Sequence, residues 1–159
     1  MGPSPTLVYP CGFFDGVAAD SKGGACFYLA LNESHSFEFA MGGSLCTNTK
    51  AELLAPWDLL TVTKVMGIPL LNIYGDSTFI INWENYQASL DSPCLSDWCM
   101  DTRCLKYCFS NLSIKHTYQE HNQRAYSLSK EALALAPGCG SFLEIYDGFS
   151  VMNDTFKLF

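Results

Sequence analysis

Three apolar and aromatic segments follow one another at the start of the chain, before any helical pattern, and they constrain the fold more than any other feature. Residues 8–18 and 23–31 are separated by the polar, glycine-containing residues 20–24, which predicts a β-hairpin. Over residues 35–41, phenylalanine and methionine alternate with polar or small residues, which predicts a third, half-buried strand. Three consecutive strands of this kind predict an antiparallel meander.

Helices and two further strands are predicted after this meander. Apolar residues return at helical spacing over residues 48–66, and Pro56 inside this helix is expected to bend its axis. The other predicted elements are a buried strand at 69–74, helices at 77–86 and 94–109, a strand at 112–119 and a helix that begins after Asn122 and ends near Ala136. The order βββ-α-β-α-α-β-α predicts an α/β domain with a mixed sheet.

Length and composition predict a single folded domain over residues 1–159, with its core at about 8–136 and a tail at 137–159 that forms irregular structure or an added strand. Hydrophobic residues make up 48% and charged residues 16% of the chain, which excludes a disordered protein. Nine Lys and Arg against 16 Asp and Glu give a net charge of −7. The chain therefore has no general positive field for nucleic acid, and any polyanion must be held locally or through metal ions.

The sequence also predicts a compartment. It carries neither a signal-peptide pattern nor an apolar run long enough to cross a membrane, so we expect an intracellular protein of the nucleus or cytoplasm, not secreted and with no membrane contact. The eight cysteines are then expected to be reduced. Four of them, at positions 94, 99, 104 and 108, lack the paired spacing of a zinc site.

Three carboxylates occupy places that favour a ligand site. Asp15 lies within an apolar run, where a lone charge is costly to bury unless it is paired or bound to metal. Glu52 lies at the start of the first helix, and Asp76 follows a buried strand at its carboxyl end, where ligand sites form in open α/β sheets. If the three carboxyl groups converge within about 6 Å, they supply oxygen ligands for Mg²⁺ or Mn²⁺.

Each of these acids also has a purely structural explanation. Asp15 with the following glycine is compatible with a turn, Glu52 with a favourable charge at a helix start, and Asp76 with a helix cap. The three residues taken singly leave both explanations open.

Four separated blocks of sequence occur in the same order as in a known family. The blocks are FFDGVA at 13–18, TNTKAELLA at 47–55, IYGDS at 73–77, and HTYQEHN at 116–122 continued by AYSLSKEAL at 125–133. They resemble the FDGA, TN..AELLA and HVYRE.N..AD.LSK.AL patterns of ribonuclease H type 1 domains. Their sequences are especially similar to those of the reverse-transcriptase-like ribonuclease H domains of plant LINE-type retrotransposons.

This resemblance implies a fold and an activity. The implied fold is a five-stranded mixed sheet, with the first three strands antiparallel and helices on both faces. The implied activity is hydrolysis of the RNA strand of RNA–DNA hybrids with two Mg²⁺ or Mn²⁺ ions, held by Asp15, Glu52 and Asp76. Further positions in the blocks that we expect to contact the nucleic acid are Asn48, Ser77 and Asn122.

One position departs from the family pattern. The fourth carboxylate of the family stands in the AD pair of the last block, where this chain has Ala125 and Tyr126. A phenol is neutral at pH 7 and is a poor ligand for Mg²⁺. The resemblance therefore leaves two hypotheses: a metal-dependent endonuclease weakened by the loss of one ligand, and a non-catalytic module of the same fold that binds nucleic acid or a protein partner.

Overall fold

The computed structural model describes residues 7–19, 22–43, 48–77, 81, 102 and 104–157, with side chains of the first helix from Leu54 onward. Within these residues, seven strands form one mixed sheet. The strands are β1 (Cys11–Ala19), β2 (Lys22–Ala30), β3 (His35–Gly43), β4 (Leu70–Gly75), β5 (Asn111–His116), β6 (Cys139–Tyr146) and β7 (Phe149–Lys157). The helices are α1 (Asn48–Val65) and α2 (Gln123–Leu133), and a 3₁₀ turn at Gln119–His121 precedes α2.

The strands are arranged in the order β5-β4-β1-β2-β3-β6-β7. β1 pairs antiparallel with β2, and β2 pairs antiparallel with β3. The other edge of β1 pairs in parallel with β4, so the pairing of the first three strands is not antiparallel throughout. β4 pairs in parallel with β5. This arrangement places β1 in the middle of the sheet and gives the mixed sheet that the element order predicts.

The predicted number of five strands is wrong, because the chain after α2 forms a hairpin that extends the sheet. β6 pairs antiparallel with β3, and β7 pairs antiparallel with β6. Asp147 and Gly148 connect the two strands with φ angles of 51° and 81°, the positive values that a type I′ turn requires. An Asp-Gly pair between alternating apolar residues is a hairpin signal, so the sequence contained the information for these two strands.

Both faces of the sheet are covered by helices. Phe14 and Phe27 belong to a buried cluster with Leu59 of α1, whereas Phe13 belongs to a second cluster with Ala125 of α2. Because successive side chains of a strand point to opposite faces, these clusters define an α1 face and an α2 face of the sheet. Phe13 faces α2 and Phe14 faces α1, so the next residue, Asp15, faces α2 again.

Most predicted boundaries lie within three residues of the observed ones. α1 ends at Val65 and includes Pro56, as expected for a helix over 48–66. The strand predicted at 112–119 ends at His116, because the chain then enters the 3₁₀ turn. The helix predicted to end near Ala136 ends at Leu133. The helices predicted at 77–86 and 94–109 lie largely outside the described residues.

Five of the eight cysteines lie in the described part of the chain, at positions 11, 26, 104, 108 and 139, and all five are free thiols. The other three lie outside the described residues, so the reduced state of the full set stays a prediction. No helix in the described ranges has the length and apolar character needed to cross a membrane.

Two adjacent glycines, predicted to end the third strand, continue it instead. Gly42 pairs with Gly24, and Gly43 pairs with Gly23. A Cβ atom on Gly42 would overlap the carbonyl oxygens of the two residues after the end of α2, at positions 135 and 136. On Gly43 the nearest atom would be 3.5 Å away, an ordinary contact. Gly42 is therefore required by the close approach of another segment of the chain, and not by a turn.

This difference predicts unequal effects of the same substitution at neighbouring positions. Gly42→Ala should lower the free energy of unfolding by about 1–3 kcal/mol, because backbone must shift to make room for the methyl group. Gly43→Ala should change it by less than about 1 kcal/mol, since its methyl group meets no close atom. Urea unfolding of both variants measures the effect. Equal destabilisation would contradict the assigned contact.

Candidate metal and nucleic-acid site

The neighbouring parallel strands β1 and β4 bring Asp15 and Asp76 to the same end of the sheet. The register of β1 with β4 pairs Phe14 with Gly75, so the next residues along the two strands are Asp15 and Asp76. Neighbouring strands of a sheet are about 5 Å apart. Asp15 is 9% exposed, and Asp76, just after the carboxyl end of β4, is partly exposed. This is the strand end at which the sequence predicts a ligand site.

The ionisation of the Cys26 thiol is affected by its burial and by the neighbouring Asp15. Cys26 is fully buried and stands opposite Asp15 in the pairing of β1 with β2. Burial raises the pKa of this thiol well above its usual value, and the negative charge of Asp15 raises it further, while the hydrogen bond to the Asp15 carbonyl oxygen opposes that rise. The pairing of β1 with β2 therefore puts the thiol beside Asp15.

The start of α2 is attached to β1 beside Asp15. The side-chain amide of Asn122 donates a hydrogen bond to the carbonyl oxygen of Phe14 at 3.1 Å. The thiol of Cys26 lies 2.8 Å from the carbonyl oxygen of Ala125 and 3.4 Å from that of Asp15, and its single S–H is shared between the two acceptors. These contacts bring the first turn of α2 to the α2 face of β1.

Asn122 precedes α2 as predicted, but its side chain does not cap the helix. It is 1% exposed and bonds to β1. Its Oδ1 atom has no hydrogen-bond partner among the described residues, and the nucleic-acid contact expected of Asn122 stays a prediction. The sequence pattern located this residue correctly but did not indicate its long-range partner.

Tyr126 lies in the first turn of α2, where the sequence predicts it. Its backbone N–H donates to the carbonyl oxygen of Asn122 at 3.0 Å. The ring is half-buried, and the ammonium group of Lys130 lies 4.6 Å from the ring centroid, within the range of a cation–π interaction. A positive charge therefore lies beside the position where the resemblance implies a carboxylate.

The remaining predicted site residues are only partly placed. Glu52 and Asn48 lie near the start of α1, but their side chains are outside the described part, so the convergence of three carboxylates stays a prediction. Ser77 directly follows Asp76, and its carbonyl oxygen accepts the N–H of Ile81 at 3.0 Å.

The two placed acids fit a hard divalent cation by their chemistry. Carboxylate oxygens are the ligands that Mg²⁺ prefers, and a site with few protein ligands completes its shell with water. Among the side chains that the structure describes, no three His, Cys, Asp or Glu residues are grouped closely enough to bind a metal ion. Asp15 and Asp76 stay two predicted ligands of that set, and the third, Glu52, has its side chain outside the described part.

Two exposed aromatic side chains lie at the carboxyl end of β5, at the same end of the sheet as Asp76. β5 pairs with β4 so that His116 stands beside Gly75, the residue before Asp76. The rings of His116 and Tyr118 meet edge to face at 5.4 Å, and Tyr118 is 66% exposed. Exposed aromatic rings are surfaces on which nucleic-acid bases stack. No local pattern in the sequence marks this pair, because the exposure of the two rings depends on the residue at which β5 ends.

A second buried acid among the described residues, Asp58 on α1, was also missed. It is 2% exposed, and its Oδ2 atom has no hydrogen-bond partner among the described residues. Burial raises the pKa of Asp58 well above its usual value, because an apolar environment disfavours the charged form. The signal was present in the sequence, since Asp58 is a lone charge among apolar residues, as Asp15 is.

The fold defined by these elements is that of ribonuclease H. The RNase H1 of Halobacterium salinarum NRC-1 matches with a TM-score of 0.72 and 24% identity, over 77% of this chain and 96% of that one. LC11-RNase H1, solved in complex with an RNA/DNA hybrid, matches with a TM-score of 0.70 and 21% identity, over 77% and 95%. The N-terminal RNase H domain of a Mycobacterium tuberculosis protein matches with a TM-score of 0.69 and 15% identity, over 77% and 93%.

The family follows from the sequence match. The model of the reverse transcriptase-like family matches residues 14–132, which is more than half of the chain, and the chain belongs to that family. The matched segment includes Asp15, Glu52, Asp76 and Tyr126. A search of curated proteins found no match.

The raised pKa of Asp58 predicts a pH dependence of stability. In the unfolded chain an aspartate ionises near pH 3.9, whereas the folded protein keeps Asp58 protonated to higher pH. Its contribution to stability is therefore complete below about pH 4 and falls as the pH rises, by up to about 1.4 kcal/mol per pH unit. Asp58→Asn, which does not titrate, should gain stability relative to the wild type between pH 4 and 7. Parallel curves from urea unfolding would contradict a protonated Asp58.

Proposed function

We propose that this domain is a metal-dependent endonuclease that cleaves the RNA strand of RNA–DNA hybrids, and that residues 1–159 act as one domain. The observation that carries the proposal is the adjacency of Asp15 and Asp76 on parallel strands, beside the start of α2, in a chain of the reverse transcriptase-like family. The hybrid bound to LC11-RNase H1, a protein of the same fold, supports the substrate class. We also place the chain among the domains of plant LINE-type retrotransposons.

In this proposal Asp15, Asp76 and Glu52 hold Mg²⁺ or Mn²⁺. Bound ions of this kind lower the pKa of an attacking water and stabilise charge on the leaving oxygen. The chain contributes rigid placement of the ligands. Asp15 lies in a strand paired on both edges, so its backbone needs little reorganisation when a ligand binds. This pre-organisation favours a shared ion between two strands.

The chain also supplies surfaces for the substrate. His116 and Tyr118 offer exposed rings for stacking next to the strand end that carries Asp76. Ser77 and Asn48 carry a hydroxyl and an amide group that suit phosphate oxygens. These contacts hold a polyanion locally, as a chain with a net charge of −7 requires.

The second candidate function is binding without cleavage, and Tyr126 is the observation that favours it. The phenol supplies no negative charge, and Lys130 places an ammonium group over its ring. Compared with a carboxylate at this position, the pair weakens the attraction for a divalent cation and strengthens that for phosphate. A module of this kind binds nucleic acid directly, or a protein partner through the same surface.

Substitution at position 126 tests the first candidate. Tyr126→Asp should raise the rate of hybrid cleavage at limiting Mg²⁺ by at least about tenfold, equivalent to about 1.4 kcal/mol, because it restores a charged ligand. Tyr126→Asn has nearly the same size as the aspartate variant but no charge, and it should leave the rate near that of the wild type. Asp76→Asn should abolish cleavage. The measurement is the initial rate on a labelled RNA–DNA hybrid over a range of Mg²⁺ and Mn²⁺ concentrations.

The outcomes separate the two candidates. If the wild type cleaves and Tyr126→Asp is no faster than Tyr126→Asn, another group completes the site and Tyr126 has no role in it. If neither the wild type nor Tyr126→Asp cleaves, although the variant binds Mn²⁺, the catalytic proposal is wrong. Binding of an uncleaved hybrid by the wild type then supports the second candidate.

A further inference from the structure

We propose that Cys26 is a positioning residue, whose thiol holds the first turn of α2 at a fixed distance from Asp15. The sulfur lies 2.8 Å from the carbonyl oxygen of Ala125 and 3.4 Å from that of Asp15, so its single S–H is a donor shared between the two. One buried donor thus contacts two segments that are 110 residues apart in the chain. The consequence for metal binding rests on the proposed function.

The location of Cys26 suits this role. It pairs directly with Asp15 across the β1–β2 ladder, so strand pairing fixes its backbone relative to that acid. Its side chain points to the α2 face and is fully buried. The position of α2 depends on contacts that cross this face, and the thiol makes one of them to the residue immediately before Tyr126. The hydrogen bond of Asn122 to Phe14 anchors the other side of the same helical turn.

A thiol at this place differs from an apolar residue of similar size. Valine would fill the volume but leave the carbonyl oxygen of Ala125 without this donor, whereas serine would keep a donor on a shorter side chain. A ligand must lie about 2.1 Å from a Mg²⁺ ion, with little tolerance in direction. A small displacement of the first turn of α2 would therefore weaken metal binding by any side chain at position 126.

The experiment compares metal binding in four proteins: the wild type and Tyr126→Asp, each with and without Cys26→Ala. The dissociation constant for Mn²⁺ is read from the electron paramagnetic resonance signal of the free ion. We expect Tyr126→Asp to tighten binding, and Cys26→Ala to reduce that gain by at least about fivefold. Cys26→Ser should restore most of the gain, because it returns a donor.

Cys11→Ala is the matched control. Cys11 is an equally buried thiol of the same cluster, on β1, and no hydrogen bond of its side chain occurs among the described residues. Its removal deletes the same atoms without touching the carbonyl oxygens of Asp15 or Ala125. If Cys11→Ala reduces the Mn²⁺ gain as much as Cys26→Ala does, the effect is one of core volume and the proposal is overturned.

A second measurement does not depend on metal. The backbone N–H of Tyr126 closes the first turn of α2 on Asn122, so its hydrogen exchange reports whether that turn is held. In the metal-free protein, Cys26→Ala should speed this exchange at least about tenfold over Cys11→Ala. Equal exchange in the two variants overturns the proposal. If Cys26→Ala does not fold, Cys26→Val replaces it in the same comparison.

The two measurements also separate this proposal from the proposed function. If no variant binds Mn²⁺ but exchange at Tyr126 depends on Cys26, the metal-dependent function is wrong and the positioning role stands. If Tyr126→Asp binds Mn²⁺ with equal gain in the presence and absence of the Cys26 thiol, the function gains support and the positioning role is wrong.

Discussion

Helix α2 lies closer to the sheet than ordinary side chains allow, and the geometry of the candidate site depends on this contact. A Cβ atom on Gly24 of β2 would come within 2.9 Å of the Cβ atom of Ala132, and Gly42 of β3 is equally restricted by the chain that leaves the helix. Ala125 and Ala132 are fully buried against the strands. Small residues on both partners let the backbone of α2 approach until the thiol of Cys26 reaches a carbonyl oxygen of its first turn. A larger residue at any of these positions would move that turn away from the acid on β1.

The sequence predicted those parts of the fold whose signals are local. The meander, α1 and β4 follow from periodicity and from polar breaks, and each of these patterns lies within a short segment. The extra hairpin was also locally encoded, because Asp147 and Gly148 form a turn signal between apolar strands. Asp15 was identified because a lone charge in an apolar run needs a partner. The same argument identifies Asp58, which is buried and has a raised pKa.

The contacts that shape the site were beyond a single sequence, because each depends on two distant segments. Cys26 and Ala125 are 99 positions apart, and Asn122 and Phe14 are 108 apart. Nothing near Asn122 in the chain indicates that its amide bonds to a strand instead of capping the helix or facing solvent. The role of Gly42 also could not be predicted from its neighbours in the chain, since a pair of glycines is as compatible with a turn as with a close approach of another segment. Family resemblance locates such residues, but only the fold assigns their partners.

In the proposed function, the two candidates differ in one electrostatic quantity, the potential around Asp15, Asp76 and position 126. Two carboxylates at one strand end of the sheet repel negative charge. Without bound cations they therefore also repel the phosphates of a substrate, and in an acidic chain bulk charge does not compensate. Tyr126 with Lys130 makes the potential less negative, which weakens cation binding and reduces the repulsion of phosphate at the same time. The residue at position 126 therefore decides which function is favoured. A negative charge there favours metal-dependent cleavage, and a neutral residue beside a positive charge favours binding without metal.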